Sequence, residues 1–419
     1  MHHTLVRILI GLALVVFIWR GPWRALGGER LSSDFAVVYG ASQAWLSGLD
    51  PYDYPTLTTI LRQRGYDSSV LPHPMARPSV YPPTTFISLS PLTMAYWGVA
   101  RVTWLAINLT GLAILVWSLI GSKQSKWADW RVGLLIAAVL MLACVQSGVA
   151  LGQLALLPVA MAVWALQREK KGRPWGAGLL TGLAAAIKPH VGGVFLIYLL
   201  LRPNGQRLKV LATAAVVLAV LGAASITRLD SVGIDWRTGL QRNLKSFTVG
   251  GIGDPTPANP LSFQLINLHV PLHLLIDSHT GVNLLVYGLI AVAAAIAFIG
   301  TLRSVTPNRD GLLLSILAVL SLMAAPHRHY DAVLLVLPLS WCIQHLGVRR
   351  DLWCWAALLS MIPFLTPGGA LIFQLSKWLE LPNTLTASWW WQCFVVLHQP
   401  WALVALAISL IGAMWATKA

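Results

Sequence analysis

The sequence predicts an all-α polytopic membrane protein, and three observations predict it. Of its 419 residues 56% are hydrophobic and 11% charged, with a mean hydropathy of +0.67. A soluble chain of this length needs far more charge to cover its surface. The apolar residues also fall in blocks long enough to cross a bilayer, which takes about 20 residues of helix. Finally, the short breaks between blocks are basic in alternation, as cytoplasmic loops are.

Taken in order, the apolar runs suggest about twelve crossings: 5–20, 99–120, 132–150, 154–167, 174–187, 190–201, 209–226, 281–300, 310–325, 332–346, 352–373 and 393–416. The first block, Leu5–Trp19, lacks an A-x-A cleavage site and many similar blocks follow it, so it reads as a retained span. Runs between 154 and 201 carry Gly and Pro and are expected to be tilted or broken within protein. The chain reads as a single integral membrane domain, 1–419, with no internal repeat at a fixed period.

Net charge is +15, from Lys+Arg 30 against Asp+Glu 15. In a soluble protein that would suggest nucleic acid. Here the charges set topology and meet lipid headgroups, so the expected partner is the bilayer and no nucleic acid. Lys123, Lys126 and Arg131, then Arg168, Lys170, Lys171 and Arg173, then Arg202, Arg207 and Lys209 mark cytoplasmic loops. Arg303, Arg309, Arg349 and Arg350 continue the series, which puts both termini inside. Most acids, Glu29, Asp34, Asp50, Asp53, Asp67, Asp230, Asp235, Asp254, Asp277, Asp331 and Glu380, fall on the opposite face.

That face receives two long segments, 21–98 and 227–280. In the first, short amphipathic pieces such as Phe35–Leu46 are expected to lie at the interface. In the second, 227–262 is rich in Gly, Pro and polar residues (TVGGIGDPTPANP) and reads as a mobile loop able to close over substrate. Cys144, Cys342, Cys354 and Cys393 lack CxxC spacing and read as packing residues, neither metal ligands nor a disulfide.

Polar groups at the ends of membrane helices cost energy and tend to mark function. Six clusters fall on the non-cytoplasmic side: DFAVVYGASQAWLSGLDPYD from Asp34; YPP at Tyr81–Pro83; Gly152–Gln153; KPH at Lys188–His190; NPLSFQ at Asn259–Gln264; and PHRHYD at Pro326–Asp331. Each has a plain alternative. Asp34 behind two serines could cap a helix, Lys188 could snorkel to headgroups, YPP could be a rigid helix entry, and Gly152–Gln153 a tight turn. His327, Arg328 and His329 could be an ordinary outer-face loop, yet three cationic-capable donors in a row make a good anion site. Trp389, Trp390 and Trp391 read as an interfacial belt.

The pattern D-[FY]-x-V-Y-x-A-[AS]-x-A-x-L-x-G-x-x-P-Y-D, then YPP, GQ, Lys-Pro after a Gly/Ala-rich run and H-Y-D near a later one, resembles glycosyltransferase family 87. The resemblance runs from Asp34 to about Leu337. It implies the GT-C-type glycosyltransferase fold, with interfacial helices in a long first extracytoplasmic loop. It also implies an enzyme of the cell (inner) membrane that takes sugar, mannose foremost, from a polyprenyl-phosphate donor. Asp34 corresponds to the family's catalytic base, Lys188 to its helix-end lysine, and His327 or His329 to its late histidine. The run His-Arg-His before Tyr330 departs from many relatives.

With phosphate as leaving group one carboxylate suffices, unlike the two of most glycoside hydrolases. Asp34 would accept the proton of an acceptor hydroxyl, on a glycolipid or glycan. Lys188, His327, Arg328 and His329 would hold the donor phosphate. Tyr81, Gln153, His190, Asn259, Gln264, Tyr330 and Asp331 complete the candidate substrate-binding set. No acids stand at DxD spacing to clamp a metal and nucleotide sugar, so no metal or other cofactor is expected. A transporter or flippase of a lipid-linked glycan intermediate would place its charges nearer mid-span and in two related halves. A non-catalytic scaffold would give these clusters no reason to share a face. The donor sugar, mannose or arabinofuranose, and the acceptor are not encoded legibly.

Overall fold

The computed structural model describes residues 2–27, 32–67, 79–121, 130–202, 205–303, 309–346 and 352–416. Glu29, Lys123, Lys126, Arg349 and Arg350 lie outside the described residues. Among the described residues the chain is helical, with one isolated β-bridge. It divides into two compact units. One, the Asp34 unit, comprises 11–128 and 145–252; the other, the His327 unit, comprises 1–10, 129–144 and 253–419.

The helices follow the apolar runs. In chain order they are α1 (His2–Arg20), α2 (Pro22–Leu26), α3 (Ser33–Leu46), α4 (Tyr54–Gln63), α5 (Pro83–Thr93) and α6 (Trp97–Ile120). Then come α7 (Trp130–Met141), α8 (Ala143–Leu151), α9 (Leu156–Lys170), α10 (Pro174–Ile187), α11 (Pro189–Leu201), α12 (Arg207–Ser231) and α13 (Trp236–Thr248). The remainder are α14 (His269–His273), α15 (His279–Arg303), α16 (Arg309–Ala324), α17 (Val336–His345), α18 (Leu352–Met361), α19 (Gly369–Trp378), α20 (Asn383–Thr386) and α21 (His398–Ala416).

Five helical stretches are long and apolar enough to cross a bilayer: Thr4–Leu26, Trp97–Ile120, Arg207–Ser231, His279–Arg303 and His398–Ala416. The expected crossings 132–150 and 352–373 are instead bent pairs, by 52° between α7 and α8 and by 55° before α19. Counting each pair as one span gives seven. The runs 174–187 and 190–201 are separate helices of 14 and 13 residues, because Pro189 cannot continue α10 and starts α11 instead. The run 332–346 is part 3-10 helix (His329–Leu335) and part α17.

Packing explains several of these choices. Gly178 and Gly182 on α10 let α12 approach closely: a Cβ at Gly178 would lie 2.4 Å from the Thr213 Cβ, and one at Gly182 2.8 Å from the Val217 Cβ. Small residues four apart are the usual means of such contact in membrane helices. In the His327 unit the core is carried by α16 and α17, whose Leu312–Ser315 and Val336–Ile343 are buried almost without a break.

Two expectations need correction. Phe35–Leu46 is not an amphipathic surface piece: in α3 the residues from Phe35 to Trp45 are all buried. The run alternates small and aromatic residues without a polar stripe, so it is surrounded by protein. The amphipathic helix of this segment is α4, which buries Leu57, Ile60 and Leu61 and is capped by Asp53 Oδ2 accepting from Thr56 N at 3.0 Å. Nor is 227–262 a loop throughout. Helix α12 runs on to Ser231, and α13 follows an Asp235 N-cap whose carboxylate accepts from Thr238 N. Asn243 then donates to the Tyr52 and Ser79 carbonyls, both at 3.0 Å, and fastens α13 to the Asp34 unit.

Candidate functional site

In the Asp34 unit three polar side chains from distant parts of the sequence form one chain. Asp34 lies in the first turn of α3, half-buried, and its Oδ2 accepts a hydrogen bond from Gln153 Nε2. Gln153 is buried, and its Oε1 accepts from Lys188 Nζ at 3.4 Å and from Leu154 N at 3.3 Å. The amide is therefore polarised correctly at both ends, its N–H toward the carboxylate and its oxygen toward the ammonium. Lys188 is only 3% exposed. A buried ammonium is costly unless hydrogen-bonded and balanced by charge, and this chain places a carboxylate one amide away.

Local sequence fixes each member. Lys188 sits in the break between α10 and α11 at φ −145° and ψ 88°, the extended conformation a following proline imposes. The break exposes the last carbonyls of α10, and the threonines after YPP satisfy them. Thr84 Oγ1 donates to Ala186 O at 2.9 Å, and Thr85 Oγ1 to Ile187 O at 3.0 Å. The YPP run thus opens α5 so that its first turn clamps the residue before Lys188. Tyr81 itself packs against the cluster holding Phe35 and Ile187, and its carbonyl accepts from the Tyr52 hydroxyl at 2.9 Å.

Gly152 serves both as a turn and as a close approach. Its φ is +67°, and a Cβ there would lie 2.8 Å from the Phe35 Cβ. Its carbonyl accepts from Trp104 Nε1 at 2.9 Å, while the Trp104 and Phe35 rings stack at 5.1 Å with 5° between planes. The residue after Asp34 is thus packed directly on the residue before Gln153. His190 is exposed in the first turn of α11.

In the His327 unit the NPLSFQ and PHRHYD clusters are joined. Leu265 and Arg328 form the antiparallel bridge, Ile266 N donates to His327 O at 3.0 Å, and Gln264 Oε1 accepts from Arg328 Nη2. His327 and Asp331, both buried, pair at 3.1 Å. His329 Nδ1 lies 3.4 Å from Gln399 Nε2, and Arg328 stands over the Tyr330 ring at 5.9 Å. Asn259 spends its amide on its own turn, donating to Asp254 O at 2.8 Å and accepting from Leu261 N at 2.9 Å.

The sequence-derived set is therefore gathered in two groups, Asp34, Gln153 and Lys188 in one unit and Gln264 with 327–331 in the other. Sequence reasoning missed Phe35, Trp104, Thr84, Thr85 and Gln399. The two threonines carried a signal, directly following YPP; Trp104 and Gln399 carried none, since nothing local marks what they touch.

Residues 80–326 match glycosyltransferase family 87. The matched stretch contains Tyr81, Gln153, Lys188, His190, Asn259 and Gln264; Asp34 precedes it and His327 follows it. A polyprenol-phosphate-mannose-dependent alpha-(1-2)-phosphatidylinositol mannoside mannosyltransferase of Mycolicibacterium smegmatis is 29% identical over 235 residues, 52% of this chain and 49% of that protein. The chain thus spans about half the length of the curated relative it matches. No solved structure matches the chain.

Proposed function

The chain belongs to glycosyltransferase family 87, and from that membership we propose that it is an inverting glycosyltransferase with Asp34 as its base. The donor is a sugar on polyprenyl phosphate, mannose by analogy with the polyprenol-phosphate-mannose dependence of the relative. The acceptor is a hydroxyl of a glycolipid or glycan at the extracytoplasmic face of the cell (inner) membrane. Twelve crossings with both termini cytoplasmic belong to the same proposal, supported by the basic loops.

The observation that carries this reading is the hydrogen-bonded chain Asp34–Gln153–Lys188. It presents a carboxylate and an ammonium held apart by one amide, the pair that an acceptor hydroxyl and a departing phosphate require. In the reaction Asp34 takes the proton of the acceptor hydroxyl as its oxygen attacks the anomeric carbon. The bond from that carbon to the phosphate oxygen breaks, and the phosphate keeps the electron pair. Lys188 neutralises the charge that develops there. One displacement inverts the anomeric centre, so a β-linked donor gives an α-linked product. The path uses no metal.

The test is transfer of label from polyprenyl-phosphomannose into lipid and glycan by membranes holding wild type or Asp34→Asn. Label transferred by wild type and lost in a well-folded Asn variant is the expected result. Equal transfer by both proteins removes Asp34 as the base.

A further inference from the structure

The His327 unit holds a second feature that the mechanism above does not use. A cavity of about 620 Å³ lies between the 255–263 turns, α19, α20 and the π-helical turn Trp391–Val396. Its size falls within the range of small-molecule sites, roughly 300–1,000 Å³. Phe263 and Phe373, stacked at 5.2 Å, line it together with half-buried Trp391. Glu380, Asn383 and Gln392 supply polar groups. Gln392 donates its N–H to Thr386 O at 2.6 Å, which fixes the amide. Glu380 and Asn383 are both exposed.

Glu380 is the informative residue. It follows α19 at φ +49°, the one non-glycine among the described residues with positive φ. Leu381 N donates back to Ser376 O at 3.0 Å, so Glu380 occupies the left-handed position after a helix where glycine or asparagine is usual. A long acidic side chain held in a strained conformation on a cavity wall points to a task for that side chain.

The geometry points to this cavity as a binding site for a neutral, hydroxyl-rich ligand, the sugar head of the acceptor. Aromatic rings suit the apolar faces of sugar rings, and carboxylate and amide groups take their hydroxyls. One lysine and one glutamate line the space, so it carries no net charge, and the Lys377 ammonium already lies over the Phe373 ring at 4.7 Å. A phosphate or pyrophosphate would want surplus positive charge; an isoprenoid chain would gain nothing from the exposed Glu380 carboxylate and Asn383 amide. Phe263 immediately precedes Gln264, which holds Arg328, so the cavity adjoins the His-Arg-His loop within its own unit. Its lining residues from α19 to Trp391 lie beyond the family-matched residues, as befits a part that selects an acceptor particular to this chain. The identification of the ligand as acceptor rests on the glycosyltransferase reading; the sugar-binding claim does not.

Saturation-transfer NMR on the full chain in nanodiscs tests it with neutral manno-, gluco-, galacto- and arabino-oligosaccharides, with decaprenyl phosphate as competitor. Sugar signals are expected from wild type, unmoved by decaprenyl phosphate and weakened about tenfold in Trp391→Ala, the loss of one aromatic face. Glu380→Gly is expected to weaken binding while raising the melting temperature, which separates a lost contact from a lost fold. Absence of sugar signals, signals indifferent to both substitutions, or displacement by decaprenyl phosphate overturns the proposal. Sugar binding without label transfer from polyprenyl-phosphomannose would keep the site and sink only the mannose donor.

Discussion

At the scale of the residue, the polarity of one amide organises the site. Gln153 can satisfy Asp34 and Lys188 together only with its N–H toward the acid and its oxygen toward the ammonium, and it is so placed. Removing the cation should be costly, since one charge-stabilising donor is commonly worth about 3 kcal/mol. Lys188→Ala is expected to slow transfer on the order of a hundredfold, read by single-turnover rates at saturating donor. Near-normal turnover would remove Lys188 from the phosphate site. Asp34, Gln153 and Lys188 were each legible in the sequence, because polar residues among apolar runs are conspicuous. Their mutual contact was not, since 119 and 35 residues separate the partners of the two hydrogen bonds.

At the scale of the element, the break at Lys188–Pro189 matters more than the two helices it separates. A proline frees carbonyls of the preceding turn, and a membrane protein must satisfy them from its own side chains. Thr84 and Thr85 do so. Thr85→Val keeps the shape but leaves Ile187 O short of a buried donor, and should cost about 1–3 kcal/mol. Thermal unfolding would register that loss, and transfer should fall with it because the same carbonyl precedes Lys188. Unchanged stability would mean that the hydroxyl is dispensable. Helix positions followed hydropathy closely in the sequence. Two elements were misread, α3 and α13, for opposite reasons. Residue type alone does not tell a helix sheathed by protein from one at an interface, and the glycines after Thr248 drew attention from the capped, amphipathic turns before them.

At the scale of the whole molecule, acid should loosen the fold outside the membrane-spanning helices. Burial, aided by neighbouring His273, takes His269 from its ordinary 6.5 down to about 4, and burial with His279 nearby also lowers His273. The unfolded chain then binds protons that the folded one refuses, so stability is whole above pH 6.5 and declines as pH falls toward about 4. Melting temperatures across that window should decline less steeply in His269→Gln; identical slopes would discount the histidine. Family membership and a helical membrane fold could be read from the sequence, since long motifs and long apolar runs survive without coordinates. The division into units could not, for it depends on which stretches pack together. That division also sets a timetable. The Asp34 unit is complete once residue 252 has been made, whereas residues 1–10 belong with 129–144 and everything after 253. At about 5–20 residues per second the ribosome needs on the order of ten seconds or more to deliver that last portion. Val6 and Ile10 meet α7 at Gly133, where a Cβ would lie 2.3 Å from the Val6 Cγ1, so these early turns gain a first neighbour by residue 141 and the rest of their unit only with that last portion.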